Sequence, residues 1–464
     1  MKLIFFNRCV QKRYAIVFLT FWATILMYIL RTNLSIAIVD MSSDKNITIG
    51  NKTYFEKAEF HWSPAEKGFI LSLFSYGFLF APVGSLLAVK YGGGTVCGLG
   101  IFLTGFLTLL SPILFRFHLV AYAVARILEG LFEGCITSGY VELFVHWIPE
   151  EERSRSLTYA HIGSFFGAAL NYPFSGYVAN LWGWPAVFYV TGGLSCFWYI
   201  IWFTFVSNEP QTDKFISESE KCYLKEKIKN FSREQITYPW KKIFTSKPVW
   251  ALLNDNFVMA WSYSFIVYCL PVYIKDVYDT NIENIGLISS IPILFSVMSE
   301  TTAAILSDYL RTKAVLSNSN VHKSFIIFGQ ISAVILLIIT ANWTNFIGSI
   351  VCFSLIRLCY CFAEMSYEVL PIDMAGIYGS LIYALTVSTF SIGCLLNPTL
   401  MGYLVTNHTR TEWNHYFIVL SIFNIWGFII YWRYGSGEFQ PWAEQSAVDN
   451  ENKPVEQFQK TDCF

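Results

Sequence analysis

Long apolar stretches separated by short polar segments run along almost the whole chain. Twelve of these stretches contain the roughly 20 residues that a helix needs to cross about 30 Å of hydrocarbon. Several include glycine or proline, which membrane helices tolerate when neighbouring helices satisfy the freed backbone groups. The pattern therefore predicts an all-α membrane protein with twelve transmembrane helices. The predicted spans are residues 14–39, 67–89, 96–115, 119–147, 157–181 and 186–206, followed by 249–274, 283–307, 322–341, 346–370, 376–405 and 415–433.

A polar segment, residues 207–247, divides these spans into two groups of six. Part of this segment, from Ile216 to Ile228, has the spacing of a short amphipathic helix on the membrane surface; a solvated charged linker is the alternative. Two pseudo-symmetric six-helix halves are typical of the major facilitator fold. We therefore predict a cytoplasmic N-terminus (1–13), two helical halves (14–206 and 249–433), a cytoplasmic linker (207–248) and a cytoplasmic tail (434–464).

The composition excludes a soluble enzyme with an ordinary charged surface, because 54% of the residues are hydrophobic and only 14% are charged. The chain has no phosphate-binding Gly-Lys-Ser/Thr loop and no nucleophile-elbow pattern, so we expect no enzyme activity. The eleven cysteines form no pair in the predicted outer loops, so we expect neither a disulfide framework nor a metal site. We expect no cofactor other than H⁺ or Na⁺ as a coupling ion, and no nucleic-acid partner.

Most of the 32 lysines and arginines fall on the side of the predicted membrane that holds the termini and the linker. Because basic residues concentrate in cytoplasmic loops, this side is predicted to be the cytoplasm. The first apolar stretch is too long for the core of a cleaved signal peptide, so we expect a retained helix. We expect a multi-pass protein of the plasma membrane or of a lysosomal or vesicular membrane. Four glycosylation sequons fall in predicted outer loops, at Asn46, Asn51, Asn342 and Asn407.

Charged residues lie inside two spans of the first half, Arg31 in the first span and Arg126 in the fourth. An arginine at membrane depth costs about 2.5–3.5 kcal/mol on insertion scales, so we expect it to face a cavity or a partner. Glu129 and Glu133 follow Arg126 by three and seven residues and share its helix face. A planar guanidinium matches a carboxylate or a phosphate, so we predict that Arg31 and Arg126 bind an anionic substrate. The alternative is that each arginine is locked structurally to Glu129 or Glu133.

Glu133 is the predicted proton carrier, and Glu129, one helical turn away, is predicted to share the proton with it. Burial favours the neutral form of a carboxylate, whereas a nearby arginine favours the charged form. A change in the contact between the two during transport would therefore bind or release a proton.

The tenth span repeats this pattern, with Arg357 and Glu364 seven residues apart at the position equivalent to the fourth span. We predict that these charges form a second wall of the cavity or an inner gate, with Glu300 of the eighth span as a further member. The alternative is that Arg357 pairs with Glu300 for structural reasons. Asp255 in the seventh span offers oxygen ligands for Na⁺ or, alternatively, caps a broken helix.

Short motifs that suggest a family are spread over nearly the whole chain. They are Arg31-Thr-Asn-Leu-Ser-Ile in the first span, Trp62-Ser-Pro-Ala-Glu-Lys-Gly before the second, Arg126 with Glu133-Gly in the fourth, and Gly183-Trp-Pro-Ala-Val-Phe before the sixth. On these motifs the chain resembles the anion:cation symporter family of the major facilitator superfamily, which includes sialin, the vesicular glutamate transporters and the type I sodium–phosphate cotransporters. The resemblance implies transport of anions, coupled to H⁺ or Na⁺ or driven by the membrane potential. It also implies that Arg31, Arg126 and Glu133 handle the substrate and the proton.

The same resemblance places a gating motif in the cytoplasmic connections after the second and eighth spans. This chain has Lys90 in the first connection, and Asp308 and Arg311 in the second. It departs from the glutamate-transporting members at two positions, because Leu71 stands where they have a histidine and Met259 where they have an arginine. Both departures are more similar to sialin.

Together these patterns predict a secondary active transporter that moves a small organic anion by alternating access, coupled to protons and sialin-like. One alternative is a Na⁺-coupled phosphate or anion cotransporter on the same fold. Another is a non-transporting membrane receptor that has kept the fold. The expected partners are a small-molecule anion and the lipid bilayer, and we expect the chain to be a monomer.

Overall fold

The computed structural model describes residues 11–42, 44–49, 52–228, 239–313, 316–343 and 345–443. The N-terminal half contains seven helices within these residues, because the second predicted span is divided in two before Pro82. A two-stranded antiparallel hairpin, with Lys45 opposite Glu56, follows the first helix. In chain order the elements are α1 (Lys12–Met41), β1 (Lys45–Ile49), β2 (Lys52–Glu56), α2 (Pro64–Phe78), α3 (Ala81–Tyr91), α4 (Gly93–Phe117), α5 (Leu119–Trp147), α6 (Glu150–Trp182) and α7 (Trp184–Phe205).

The C-terminal half follows a linker that contains two short helices. Its first span consists of two α-helices joined without a break by a π-helical turn, which ends just before Pro271. The linker helices are α8 (Glu218–Lys227) and α9 (Trp240–Thr245). The half itself contains α10 (Lys247–Ser264), the π turn (Phe265–Cys269), α11 (Leu270–Tyr278), α12 (Ile282–Thr312), α13 (Asn318–Asn342), α14 (Phe346–Ala375), a 3₁₀ turn (Gly376–Tyr378), α15 (Gly379–Leu404) and α16 (Arg410–Tyr434).

All twelve predicted spans coincide with helix in the described part of the chain. Ten helical segments in that part are both long enough and apolar enough to cross a membrane. The other two predicted spans, α5 and α6, contain 29 and 33 residues and are therefore long enough, but charged and small polar residues lower their hydropathy. Helix α6 packs between α1 and α12, and α5 packs against α2, α3 and α4, so their polar faces are turned into the bundle.

The two halves meet closely at the end of the bundle that carries the β hairpin, which we call the hairpin end; the opposite end is the linker end. A Cβ atom on Gly68 of α2 would overlap the carbonyl oxygen of Pro398 of α15 and lie 3.1 Å from the Cα atom of Gly402. A Cβ atom on Gly176 of α6 would lie 3.3 Å from the Cα atom of Gly286 of α12. Glycine at these positions therefore allows backbone-to-backbone contact between the halves, as small residues do at membrane helix crossings.

The loop between the hairpin and α2 is tied to the N-terminal half through Glu59. Its carboxylate accepts hydrogen bonds from Arg116 Nε and Trp184 Nε1, each at 2.8 Å. The hydrogen bond from Arg116 is the main reason why the pKa of Glu59 lies below its ordinary value.

The linker is attached to the start of the first span through Glu220 of α8. Its carboxylate accepts the backbone N–H groups of Lys12 at 2.7 Å and Arg13 at 3.1 Å. These N–H groups belong to the first turn of α1, which has no partners for them within the helix. The Lys12 ammonium also donates to the carbonyl of Phe205 at 2.6 Å and lies 3.6 Å from Asp213. Part of the linker is therefore a docked element that caps α1, rather than a wholly solvated chain.

Replacing Glu220 with alanine is expected to lower the free energy of unfolding by about 1 kcal/mol, because two N–H groups lose a charged acceptor at a helix N-terminus. The measurement is thermal unfolding of the purified protein in detergent. Glu226→Ala, at an exposed position of the same helix, is the matched control. Equal melting temperatures for the two variants would contradict the capping role.

Candidate functional site

The first charged pair predicted from the sequence joins α1 to α5. Arg31 Nε lies 2.8 Å from Glu133 Oε1, and the side chains of both residues are buried. Although the two atoms are close, neither oxygen of Glu133 accepts a hydrogen bond from the described residues. The guanidinium also lies over the rings of Phe78, Phe74 and Tyr28, at 4.5, 5.0 and 4.9 Å from their centroids. Arg31 is therefore held by one carboxylate and by aromatic faces.

Arg31 also lines a small cavity between the two halves. The cavity has a volume of about 10 Å³, which is room for about one water molecule. Hydroxyl groups from both halves face it, because Ser75 lies on α2, Tyr268 on the π turn and Ser391 on α15. Arg31 is the one charged residue among the lining side chains in the described part of the chain. The remaining lining residues are Phe74, Phe78, Phe390 and Cys394.

A larger groove of about 380 Å³ lies between α12 and α14. Its lining is apolar apart from Ser354, and residues such as Ile291 and Ile347 are exposed at the surface of the bundle. None of the described residues that line this groove is charged, so it offers an anion no ion-pair partner.

The second arginine, Arg126, is occupied by groups of the protein. Its Nη1 atom donates to Glu129 Oε2 at 2.6 Å and to the carbonyl of Leu30 at 3.2 Å, while Nη2 donates to the carbonyl of Arg31 at 2.7 Å. Thr108 donates to the other oxygen of Glu129 at 3.0 Å. Arg126 therefore does not line the small cavity. Instead it fixes the backbone of α1 at Arg31, which does line the cavity. Direct substrate binding by Arg126 and proton sharing by Glu129 stay predictions.

The charged residues of the tenth span form their own pair. Arg357 donates to both oxygens of Glu364, at 2.6 and 2.9 Å, within helix α14. The guanidinium lies over Tyr263 of α10 and Phe165 of α6, at 5.4 and 5.6 Å, so it reaches both halves. Oε1 of Glu300 lies 3.8 Å from Nδ1 of His161, and a structural pairing of Arg357 with Glu300 stays the alternative. A gating role for Arg357, Glu364 and Glu300 stays a prediction.

The gating motif and the glycosylation sequons are only partly described. Lys90 is exposed at the end of α3, 5.2 Å over the ring of Tyr91. Asp308 and Arg311 lie in α12, but their side chains are outside the described part, as are Asn51 and the side chain of Asn46. Asn342 and Asn407 are both exposed at the hairpin end. The Asn407 amide donates to Glu412 at 2.6 Å, and glycosylation at any of the four sequons stays a prediction.

A proline in the seventh span creates a contact that the sequence pattern missed. Pro271 has no N–H group to donate to the carbonyl of Val267, four residues earlier. The hydroxyl group of Tyr172, in α6 of the other half, donates to that carbonyl instead. The π turn that precedes Pro271 also places Tyr268 on the cavity, and such turns are frequent at functional sites. Pro271 in the sequence indicated a break in the helix. The sequence did not indicate that Tyr172 of the other half contacts the freed carbonyl.

The arrangement has one chemical property that bears on function. Arg31 contacts a buried carboxylate on one side and the small cavity between the two halves on the other. An anion that reached Arg31 would compete with Glu133 for the same guanidinium. No group of three histidine, cysteine, aspartate or glutamate side chains suited to a metal ion occurs among the described residues.

Comparison with known proteins identifies relatives along most of the chain. The model of the Major Facilitator Superfamily matches residues 20–386. Vesicular glutamate transporter 1 of Xenopus tropicalis is 30% identical over 448 residues, which are 95% of this chain and 77% of the relative. Vesicular glutamate transporter 2 of Homo sapiens gives the same identity and coverage.

Solved structures with the same architecture share little sequence with the chain. A bacterial homologue of the human lysosomal transporter Spinster, in an inward-facing and occupied conformation, superposes with a TM-score of 0.71 at 11% identity, covering 96% of this chain and 99% of that one. The xylose transporter XylE from E. coli, in a partially occluded inward-open conformation, gives 0.67 at 12% identity, covering 91% and 97%. These likenesses confirm the predicted all-α fold of two six-span halves.

Proposed function

Because the chain belongs to the anion:cation symporter family of the major facilitator superfamily, and is thus a multi-pass membrane transporter, we propose that it moves small organic anions in symport with protons. The observation that carries the proposal is the position of Arg31 between Glu133 and the cavity shared by the two halves. One guanidinium can then bind either the internal carboxylate or the substrate.

The coupling follows from this competition. When an anion enters and pairs with Arg31, the carboxylate of Glu133 loses its ion-pair partner. A buried carboxylate without a counter-charge is far less stable than its protonated form, so Glu133 takes up a proton as the anion binds. When the anion leaves on the other side, Arg31 returns to Glu133 and the proton is released. The affinity of Arg31 for the anion and the affinity of Glu133 for the proton are therefore linked, and each raises the other by the same factor.

The remaining residues of the site position Arg31. Arg126 fixes the carbonyls of Leu30 and Arg31, so the guanidinium of Arg31 starts from a defined backbone position. The aromatic faces of Phe74 and Phe78 allow the guanidinium to turn between partners without losing all of its favourable contacts. Arg31 is therefore the proposed anion ligand and Arg126 its support.

The substrate class is narrowed by two buried apolar residues. Leu71 and Met259, which stand where the resemblance implies a histidine and an arginine in glutamate-transporting members, are 2% and 6% exposed. Neither residue lines the cavity, and Arg31 is the one cation among the described residues that do. A single cation favours an organic anion with a single carboxylate, as in the sialin-like prediction. Relatives named for vesicles support a vesicular membrane as one of the two predicted locations.

Uptake by purified protein in liposomes, with labelled sialate, glutamate, urate and phosphate, is the experiment that tests the proposal. We expect an inward proton gradient to drive uptake of an organic anion, and the Glu133→Gln variant to bind the anion but to lose the response to the gradient. Glutamine keeps the size of the side chain and cannot exchange a proton, so the loss reports on coupling. The pH gradient, a Na⁺ gradient and a membrane potential are imposed separately.

The control variant is Glu226→Gln, an exposed position on α8 that should leave every response unchanged. Uptake that requires a Na⁺ gradient and ignores the pH gradient would overturn proton coupling in favour of the Na⁺-coupled alternative. A folded protein that transports none of the four anions under any gradient would contradict the proposed substrate class.

A further inference from the structure

A second buried acid lies in the C-terminal half, away from the pair formed by Arg31 and Glu133. Asp255 is located on α10 and is fully buried. The amide of Gln330, on α13, donates to Oδ1, and the hydroxyl group of Tyr367, on α14, donates to Oδ2. One alternative from the sequence was that Asp255 caps a broken helix. Asp255 lies within α10 rather than at its start, so it does not cap a helix.

The groups that surround Asp255 are neutral donors and acceptors. Tyr360 and Tyr367 face it from α14 and Tyr431 from α16, and Gln330 is the polar group from α13. Helix α15 also packs against α10 and contains no charged residue. No lysine, arginine or histidine side chain among the described residues forms an ion pair or a hydrogen bond with Asp255.

Two buried polar atoms beside Asp255 have no hydrogen-bond partner among the described residues. They are Oε1 of Gln330, a residue that is fully buried, and the hydroxyl oxygen of Tyr431, which is 1% exposed. An unpaired buried acceptor costs about 1–3 kcal/mol, so such atoms require an explanation. Here the site has a carboxylate without a positive charge, together with acceptors without a donor.

A proton on Asp255 would remove the unpaired charge and supply a donor for Oε1 of Gln330, and we infer that Asp255 is a proton-binding site of the C-terminal half. An ionised carboxylate buried without a counter-ion is strongly disfavoured, and protonation removes the charge. The added O–H group needs an acceptor, and Oε1 of Gln330 becomes that acceptor when the amide turns over, since the two ends of an amide are nearly equal in size.

The polar groups around Asp255 suit both protonation states. In the protonated state Oδ1–H of Asp255 donates to Gln330 Oε1, while Tyr367 continues to donate to Oδ2. In the ionised state the amide of Gln330 turns back and its Nε2 atom donates to Oδ1, which is the arrangement observed. Gln330 is therefore a positioning residue. The inference that Asp255 binds a proton does not depend on whether Glu133 carries the transported proton.

Infrared spectroscopy of the purified full-length protein tests this inference directly. A protonated carboxylic acid has a carbonyl-stretch band that an ionised carboxylate lacks, and the band shifts in D₂O. We expect the wild-type protein to gain a band of this kind as the pH is lowered, and the Asp255→Asn variant to lack this gain. Asp279→Asn, at an exposed loop aspartate that pairs with Lys275, is the matched control and should keep the band.

Gln330→Leu provides a second, independent reading, because it keeps the acid and removes its acceptor. We expect this variant to shift the band to higher frequency, as the hydrogen bond from the acid is lost. If Asp255→Asn fails to fold, an unchanged band in Gln330→Leu overturns the inference on its own. A wild-type spectrum that is identical to that of folded Asp255→Asn also overturns it. A third result would also overturn it: Na⁺ raises the melting temperature of the wild-type protein but not of folded Asp255→Asn, and the band is the same in both proteins. The site would then hold Na⁺.

Discussion

Replacing Arg31 with alanine is expected to reduce anion uptake between about tenfold and a hundredfold. The guanidinium is the one charged group on the cavity among the described lining residues. A hydrogen bond to a charged group is worth about 1.5–3 kcal/mol, and each 1.4 kcal/mol corresponds to a factor of ten in affinity. Arg31→Lys should recover only part of the uptake, because an ammonium group cannot form the planar two-point contact of a guanidinium. The measurement is initial uptake rate against anion concentration in liposomes.

The variant requires a design that separates function from folding. Alanine at position 31 leaves Glu133 buried without its partner, and a buried pair that loses one member is destabilised by about 3–5 kcal/mol. The double variant Arg31→Ala/Glu133→Gln removes both charges and should fold, yet should not transport. Arg155→Ala, at an exposed position, is the matched arginine control. Uptake at the wild-type rate by the folded double variant would contradict the role of Arg31.

The glycine contact at the hairpin end predicts a second large effect. Valine in place of Gly68 would overlap the backbone of α15 at Pro398 and Gly402, so α2 and α15 cannot approach as closely. Overpacking of this kind costs about 1–3 kcal/mol, and here the cost falls only on the state in which the hairpin end is closed. Since alternating access requires that state, we expect uptake to fall at least about tenfold.

Cys394 supplies a reporter for the same prediction, because it lines the cavity and is only 4% exposed. A membrane-impermeant thiol reagent applied from the hairpin side should label it faster in Gly68→Val than in the wild-type protein, with Cys394→Ser to identify the signal. Gly193→Val is the matched control, since an added Cβ atom there meets nothing within 4 Å. Equal labelling and equal uptake in the two valine variants would refute closure through this contact.

The helical spans could be predicted from the sequence because membrane crossing imposes a simple local condition. A segment must be long, apolar and able to satisfy its own backbone, and each of these properties is visible along the chain. The same local rule identified Arg31, Arg126 and Glu133 as unusual residues, since charge is rare within such segments. Helices α5 and α6 show the limit of the rule, because their polar faces are compensated by neighbours rather than by their own composition.

The partners of those charges could not be predicted in the same way. From spacing alone, Arg126 can pair with Glu129 or with a more distant residue, and Arg31 with either glutamate. The packing of α1 against α5 and α6 decides that Arg31 meets Glu133 and that Arg126 holds the carbonyls of α1. Similarly, Arg357 pairs with Glu364 on its own helix, while Glu300 lies beside His161 of the other half.

The sequence by itself determined which segments cross the membrane, that the chain divides into two halves, and which buried charges need an explanation. Only the tertiary structure decided which of those charges face the cavity, and it brought Asp255 together with Gln330 and Tyr367, which are 75 and 112 residues away along the chain. The physical reason is the range of the interactions involved. Hydrophobic length and helix periodicity act over a few turns of one segment, whereas an ion pair or a buried hydrogen bond depends on the side chains of helices that are distant in sequence and adjacent in the bundle.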